Sequence, residues 1–306
     1  MFQMMNAARI NTGVSGMTLA STAYHNALEY TKNRQQGRDI TGRDSGQVPL
    51  ISHPDVRRML LWMKAAVDGM RSLIYTGAFW QDLSLELPDG DEKDHYRHLL
   101  DFMTPIIKAY CSDLGFKVCE TAIQCLGGYG YCRDYPLEQY LRDAKIMSLY
   151  EGTNGIQSMD LLGRKLRISG GAPLHAFLSE IKSFLDANSD HYRVGENVRT
   201  LDRVVQKIEQ VAAEMKVRMK TDPLLWAANT YPALVAFSEA AAVWRLLDMA
   251  IVAQAAIDSG KKSDFYSGKV MQAVYFSDIT LPHTLATLEA TLSTGSEVVD
   301  MPLRAF

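Results

Sequence analysis

Residues 124–131 read Gln-Cys-Leu-Gly-Gly-Tyr-Gly-Tyr and break a helical pattern in the first half of the 306-residue chain. The segments on either side, from about Lys93 to Leu126 and from Leu137 to Leu149, carry apolar residues at helical spacing. The glycines between them predict a loop that ends the first helix. Because this loop follows a helix and not a strand, it does not fit the phosphate-binding loop of a dinucleotide-binding sheet. The local prediction is therefore helix, glycine-rich loop, helix.

Helical spacing continues through the rest of the chain. Further helices are predicted at Met1–Arg34, Pro54 to about Leu85, Asn154 to about Ile168, Leu174–Ala187, Val198–Lys220, Trp226–Ser259 and Asp264–Ser293. Pro54 suits a first helical position, with Ser52 or His53 available as a cap. Glycine and proline predict a loop at 35–52 and a turn at 87–92. Since we find no convincing alternating strand pattern, we expect an all-α fold.

The division of the chain is predicted at Ser169-Gly170-Gly171, because a new run of amphipathic helices begins after these residues. Residues 1–170 are expected to form one helical bundle. Residues 171–306 are expected to form an additional helical domain.

Charge and composition exclude several classes of protein. The net charge of −3 comes from 35 acidic and 32 basic residues spread along the chain, so no basic stripe is available for nucleic acid. The longest apolar stretch, about 236–257, is interrupted by Glu239, Arg245 and Asp248, so we do not expect it to span a membrane. The first residues lack the pattern of a signal peptide, and a cytoplasmic location is therefore expected.

The four cysteines lack the spacing of a zinc site, since they form no Cys-x-x-Cys pair. We expect free cysteines packed in or near helices. They are Cys111, Cys119, Cys125 and Cys132.

Three motifs carry a family resemblance. They occupy residues 124–131, residues 135–145 (Tyr-Pro-Leu-Glu-Gln-Tyr-Leu-Arg-Asp-Ala-Lys) and residues 150–157 (Tyr-Glu-Gly-Thr-Asn-Gly-Ile-Gln). In type and order they resemble the C-terminal part of the acyl-CoA dehydrogenases. The arginines Arg9 and Arg34 match a pair in that family. The segment 52–60 and the long extension after residue 170 resemble a subgroup of larger bacterial members, which includes the 3-methylmercaptopropionyl-CoA dehydrogenases.

The resemblance implies dehydrogenation of an acyl-CoA thioester by an FAD enzyme, with electrons leaving through an electron-transfer flavoprotein. Glu151 matches the base that removes the α-proton, a task that requires a carboxylate over the α-carbon. It also implies a homo-oligomer in which two subunits share each flavin site. The implied substrate-binding residues are Arg9, Tyr150 and Gly152, and the implied FAD-binding residues are Arg34, Gln36, Gln124, Gly127, Gly128 and Thr153.

Each of these residues also has a purely structural interpretation. Glu151 would then be an exposed acid near a helix start capped by Thr153. Arg9 would be a surface arginine paired with an acid, and Tyr150 would be an ordinary core residue. The cofactor group would contain a solvated arginine at a helix end and a glycine helix stop.

The sequence departs from the family pattern at two places. The usual Arg-x-Gln-Phe-Gly motif is represented by residues 34–37, Arg-Gln-Gln-Gly, without the aromatic residue. His53 is followed by proline where many members have glutamine. The first change removes an aromatic flavin contact and the second removes a polar one, for which Gln36 is a candidate substitute. We expect His53 to be a cap or core residue and not a metal ligand.

In the family, an N-terminal helical domain and a middle β-domain precede this bundle, and the resemblance does not extend to either of them. The chain is therefore expected to be a fragment or one part of a split enzyme, and to bind FAD weakly by itself. Two other functions stay open. One is an acyl-CoA oxidase, which uses the same base and flavin. The other is a non-catalytic helical module that contributes a subunit interface and a grip on the flavin nucleotide.

Overall fold

The computed structural model describes residues 2–43 and 45–306, with side chains described from residue 5 onward. The predicted helix start at Met1 lies outside the described residues. The fold is a set of packed helices, and the predicted all-α class is confirmed. The helices are α1 (Phe2–Asn33), α2 (Pro54–Glu86), α3 (Asp91–Leu126), α4 (Gly128–Tyr131), α5 (Leu137–Ile146), α6 (Asn154–Met159), α7 (Ala172–Asn188), α8 (Gly195–Thr221), α9 (Pro223–Asp258), α10 (Asp264–Ser293) and α11 (Glu297–Asp300).

The loop predicted at 35–52 contains a small antiparallel ribbon, so that prediction is wrong in part. Strand β1 (Gln35–Arg38) pairs with β2 (Gln47–Pro49). The whole of β1 is exposed, and a strand without a buried face has no alternating apolar pattern to reveal it. His53 is the residue before α2, but its side chain does not cap that helix. Its Nε2 instead donates to the backbone oxygen of Gln36 at 2.7 Å, which fastens β1 to the start of α2.

Of the two helices around the predicted glycine loop, α3 ends at Leu126 as predicted, whereas α5 is shorter than predicted. A short helix, α4, lies inside that loop. Helix α5 ends at Ile146, because the next amides, those of Met147 and Ser148, bond three residues back to Ala144 and Lys145. These bonds tighten the chain into turns. Helix α6 widens into a π-helical turn at Asp160–Lys165.

Helices α1 and α3 approach closely at Gly16 and Gly115. A Cβ on Gly16 would lie 2.6 Å from the backbone oxygen of Cys111, and a Cβ on Gly115 would lie 2.6 Å from the backbone oxygen of Gly16. Glycine weakens a helix interior by about 1 kcal/mol. Here it allows two backbones to touch, which fixes the position of α1 on α3.

The buried core is continuous across residue 170. Phe177 of α7 stacks on Phe102 of α3 with ring centroids 4.8 Å apart and meets Trp244 of α9 edge-on at 6.1 Å. Buried apolar residues of both halves form one cluster. The free-cysteine prediction is confirmed, with three cysteines buried and Cys132 exposed.

Helix α9 is long and apolar enough to cross a membrane by length and composition alone. Half of its most apolar window is buried inside the fold. It packs against α8, α10, α2 and α3. Core helices of this kind also satisfy the length and composition test.

Candidate active site

Glu151 lies in the middle of a tight turn, residues 148–154, which we call the Glu151 turn. Its backbone has φ of +58°, a left-handed conformation that few residues other than glycine adopt. Gly152 follows with φ of +84°. Thr153 is the N-cap of α6, and its hydroxyl accepts from the Ile156 amide at 3.4 Å. The turn therefore presents the partly buried Glu151 side chain just before a capped helix.

The side chain of Gln157 holds the backbone of the Glu151 turn through hydrogen bonds from the buried interior. Its side chain is fully buried, and its Nε2 donates to the backbone oxygens of both Glu151 and Gly152 at 3.2 Å. A Cβ on Gly152 would lie 2.9 Å from the same Nε2. Strained backbone persists where the surroundings hold it in place, and such positions cluster at functional sites.

Asn154 closes the Glu151 turn, since its backbone N–H donates to the Ser148 oxygen at 3.2 Å. The Asn154 side chain is buried against α3. Its Oδ1 accepts from Lys108 Nζ at 2.8 Å, and its Nδ2 donates to the Ala109 oxygen at 3.2 Å and to Ser112 Oγ at 3.0 Å. Lys108 is itself fully buried.

Arg9 is buried beside the same part of the fold. Its Nη1 lies 3.1 Å from Asp160 Oδ2, with both side chains about nine-tenths buried. Arg9 Nε is buried and has no hydrogen-bond partner among the described residues. The surface interpretation of Arg9 is therefore wrong, because the fold encloses its guanidinium. Asp160 also accepts from Arg164 Nε at 2.6 Å.

Large apolar side chains surround the Glu151 turn and remain in contact with solvent. Tyr150 is 41% exposed, so the core interpretation does not describe it. Such a patch is typical of a ligand groove or an interface. Its other members are Ile146, Leu149, Ile156 and Met159, each 40–50% exposed.

The predicted cofactor residues apart from Thr153 gather at the other end of α1 and α3. We call this set the glycine-loop group: Arg34, Gln36, Gln124, Gly127 and Gly128. All are exposed. The guanidinium carbon of Arg34 lies 5.5 Å from the Tyr129 ring centroid, which places the arginine beside the glycine loop.

The glycine loop also has a structural role, because Gly127 ends α3. The Gly127 amide donates to the Gln124 oxygen at 3.1 Å, and its φ is +59°. A Cβ on Gly127 or Gly128 would meet no atom of the described residues within 4 Å. The open space over both glycines fits the approach of a cofactor phosphate or ribose to the backbone, with Arg34 as the adjacent cation.

The two groups of predicted residues are far apart. Arg9 and Asn33 are both on α1, and a rise of about 1.5 Å per residue separates them by about 36 Å. One extended flavin dinucleotide is shorter than that distance. The Glu151 turn and the glycine-loop group of one chain therefore cannot contact the two ends of the same cofactor.

Sequence reasoning missed four residues that shape the site. Lys108, Asn154 and Gln157 hold the Glu151 turn, and Asp160 holds Arg9. A lysine within the apolar run Ile106-Ile107-Lys108-Ala109 was a detectable signal, because lysine is rarely fully buried without a partner. Nothing local indicates the partners of the other three.

Two family models match the chain. The model "Acyl-CoA dehydrogenase, C-terminal domain" matches residues 1–166. The chain belongs to the acyl-CoA dehydrogenase family. The model "Acetyl-CoA dehydrogenase C-terminal like" matches residues 177–302, so the extension also corresponds to a known part of acyl-CoA dehydrogenase-like proteins. The resemblance seen in the motifs is confirmed.

Relatives of the larger acyl-CoA dehydrogenase type align with the whole chain. A butyryl-CoA dehydrogenase of Syntrophomonas wolfei is 34% identical, over 100% of this chain and 51% of that protein. The 3-methylmercaptopropionyl-CoA dehydrogenase of Ruegeria pomeroyi is 30% identical, over 99% of this chain and 52% of that protein. The chain thus spans about half the length of these curated relatives.

The fold is shared with solved acyl-CoA dehydrogenases. Caenorhabditis elegans ACDH-11, crystallised with C11-CoA, superimposes with a TM-score of 0.76 at 19% identity, over 98% of this chain and 47% of that chain. An acyl-CoA dehydrogenase from Bacillus anthracis complexed with FAD superimposes with a TM-score of 0.72 at 19% identity, over 98% of this chain and 51% of that chain. At these identities the likeness shows the fold alone.

Proposed function

We propose that this chain supplies the catalytic base of an FAD-dependent acyl-CoA dehydrogenase, and that Glu151 is this base. The observation that carries the proposal is the left-handed backbone of Glu151, held by buried hydrogen bonds and surrounded by exposed apolar side chains. A loop without function gains nothing from such strain, which typically costs 1–3 kcal/mol. A base must be held at a fixed position over its substrate.

In the proposed reaction the Glu151 carboxylate accepts the α-proton of an acyl-CoA thioester. The Glu151 amide is a candidate donor to the thioester oxygen, where negative charge develops as the proton leaves. The exposed apolar residues beside the turn, among them Tyr150 and Ile156, would line the acyl chain or the flavin ring and exclude water. The chemistry supplied by bound FAD is acceptance of the β-hydride at N5.

Arg9 is proposed to act from beside the base. Its guanidinium is held by Asp160, and its Nε is buried without a partner in the part of the chain that the structure describes. A buried donor without an acceptor costs about 1–3 kcal/mol of free energy. A ligand atom that accepted a hydrogen bond from Arg9 Nε would remove this cost, and binding would be favoured by that amount. We assign to Arg9 the orientation of the CoA side of the substrate.

The glycine-loop group is proposed to bind the flavin nucleotide of a neighbouring subunit. Its separation of about 36 Å from Arg9 along α1 supports this sharing, because the flavin beside Glu151 of the same chain would end well short of Arg34. Arg34 is a suitable bidentate donor to a pyrophosphate. Under this proposal the active assembly is a homo-oligomer, and an electron-transfer flavoprotein accepts the electrons.

An α-proton exchange experiment tests the proposed function. Flavin-loaded enzyme that contains this chain is incubated anaerobically with acyl-CoA deuterated at the α-carbon, and loss of deuterium to water is followed by NMR. We expect exchange in the wild type and in Glu289→Gln, which changes an exposed acid of α10, but none in Glu151→Gln. Equal exchange in Glu151→Gln would refute the proposal. Peroxide formation in air would assign the oxidase reaction instead of the dehydrogenase reaction.

A further inference from the structure

We infer that Lys108 is a positioning residue for Glu151, and that it acts through Asn154. The inference rests on the proposed function, since it concerns the placement of the proposed base. Lys108 is on α3, whereas the Glu151 turn follows α5. The side chains of Lys108 and Asn154 form a hydrogen bond between these two parts of the fold.

The first step of the argument is the geometry of the asparagine. An amide side chain has one acceptor and two donor hydrogens, and its orientation is set by its partners. The Ala109 backbone oxygen can only accept, so the Asn154 atom beside it is Nδ2, and Oδ1 is the atom that faces Lys108 Nζ at 2.8 Å. Nδ2 then faces the Ala109 oxygen and Ser112 Oγ, and Ser112 is itself bonded to the Ala109 oxygen at 2.9 Å.

The second step connects the asparagine to the base. The Asn154 amide donates to the Ser148 oxygen, which brings the two ends of the Glu151 turn together. Glu151 is in the middle of this closed segment, with its left-handed φ of +58°. When the Asn154 side chain is held in place, the backbone of the Glu151 turn, which carries the carboxylate, is held in place as well.

The third step is the cost of the lysine. Its side chain has 0% exposure, and burial lowers the pKa of Lys108 to about 8, with Asp113 opposing this effect, Arg9 adding to it and Glu151 opposing it. A buried ammonium is expensive, and an apolar side chain of similar volume often stabilises a fold equally well or better. Packing alone does not explain an amine at this position, whereas a donor to Asn154 Oδ1 does.

The first test uses this chain by itself, compares wild type with Lys108→Met, and measures amide hydrogen exchange in residues 147–156. Methionine keeps the length of the side chain and removes the donor. The matched control is Lys165→Met, which removes another fully buried lysine that is paired with Asp101 instead of Asn154. We expect faster exchange of the Asn154 amide in Lys108→Met only. Unchanged exchange in Lys108→Met would overturn the inference, whatever the role of Glu151.

The second test measures flavin reduction by acyl-CoA in the flavin-loaded enzyme. A misplaced catalytic group can cost about 10²-fold in rate, so Lys108→Met should lower the reduction rate constant by that order. Substrate affinity should stay within a few-fold, because Lys108 Nζ donates to Asn154 and not to a group proposed to contact the substrate. A purely structural loss would change both quantities together or neither. A rise in the dissociation constant for acyl-CoA with an unchanged rate constant would contradict the inference.

The third test asks whether Lys108 acts through Asn154. If it does, Lys108→Met should have no further effect on the reduction rate in an Asn154→Leu background, because contacting residues in one network are not additive. Additive losses would overturn the inference. Glu151→Gln is measured in parallel. If that variant keeps full activity, the proposed function fails, while the exchange result still decides whether Lys108 holds the turn.

Discussion

Arg9 and Asp160 are 151 positions apart in the chain and form a buried ion pair with Nη1 and Oδ2 at 3.1 Å. The pair ties the beginning of α1 to the end of α6, and so fastens the two segments that carry the proposed substrate arginine and the proposed base. Its two members are not equivalent. Asp160 has a second cation, Arg164, whereas among the described residues Arg9 has no second carboxylate within ion-pair distance.

This asymmetry predicts unequal effects of removing each partner. Asp160→Ala leaves the Arg9 charge buried and unpaired, and should cost about 3–5 kcal/mol in free energy of unfolding. Arg9→Met leaves Asp160 bonded to Arg164, and should cost only about 1.5 kcal/mol. Urea unfolding of the two variants at 25 °C measures the difference. Equal losses, or a larger loss in Arg9→Met, would show that the pair is not organised in this way.

The lowered pKa of Lys108 predicts a stability that depends on pH. The folded pKa is about 8, below the ordinary value of 10.5. Between these pH values the unfolded chain binds more protons at Lys108 than the folded chain does, so this group adds stability as the pH rises. The unfolding free energy of wild type minus that of Lys108→Met should therefore increase between pH 7 and pH 10. Taking the difference cancels the contributions of tyrosines and cysteines. If the difference in unfolding free energy does not change with pH, the pKa of Lys108 is not lowered in the folded chain.

For Glu239 of α9 we predict the opposite pH dependence, a contribution to stability that falls as the pH rises. Burial raises its pKa above 4.5, while Thr284, Lys117 and His283 oppose this shift. The stability that its neutral form contributes is complete below pH 4.5 and is lost as the pH rises through the folded pKa. Glu239→Gln should therefore stabilise the chain at pH 7, with the gain shrinking toward pH 4, because glutamine can still accept from Thr284 Oγ1. Thermal unfolding at both pH values measures this, and an equal gain at both would refute it.

Gly128 separates a binding role from a structural one. The Cβ of an alanine at this position would meet no described atom within 4 Å, and the substitution should change stability by less than about 0.5 kcal/mol. If a nucleotide approaches this backbone, Gly128→Ala should nevertheless speed flavin loss from the loaded enzyme. The contrasting variant is Gly16→Ala, which forces a Cβ to within 2.6 Å of the Cys111 oxygen and should cost about 1–3 kcal/mol. Full flavin retention in Gly128→Ala would remove the glycine loop from the proposed cofactor site.

Local rules were sufficient for the long helices. The predicted bounds of α10, Asp264–Ser293, are those observed, and the cap is supplied by Ser263, whose hydroxyl accepts from the Phe265 amide. Pro223 begins α9 three residues before the predicted start at Trp226. Apolar spacing marks such helices because their buried faces repeat along the chain.

The supports of the site were not readable in the same way. Lys108 and Asn154 are 46 positions apart, so only the folded chain brings the lysine amine to the asparagine oxygen. Strand β1 (Gln35–Arg38) is wholly exposed and has no buried apolar face. The motif residues could be predicted because the resemblance names them, but the buried bonds that hold them depend on tertiary packing. The division at residue 170 stays a prediction.

The central claim is tested most directly by anaerobic bleaching of the flavin on mixing with acyl-CoA. Glu151→Gln keeps the size of the side chain and removes the proposed proton acceptor. General bases typically contribute about 10²–10⁴ in rate, so flavin reduction should slow by at least that order at equal flavin content. Acyl-CoA should still bind, and Glu289→Gln should behave as wild type. If Glu151→Gln bleaches within a few-fold of the wild-type rate, Glu151 is not the base.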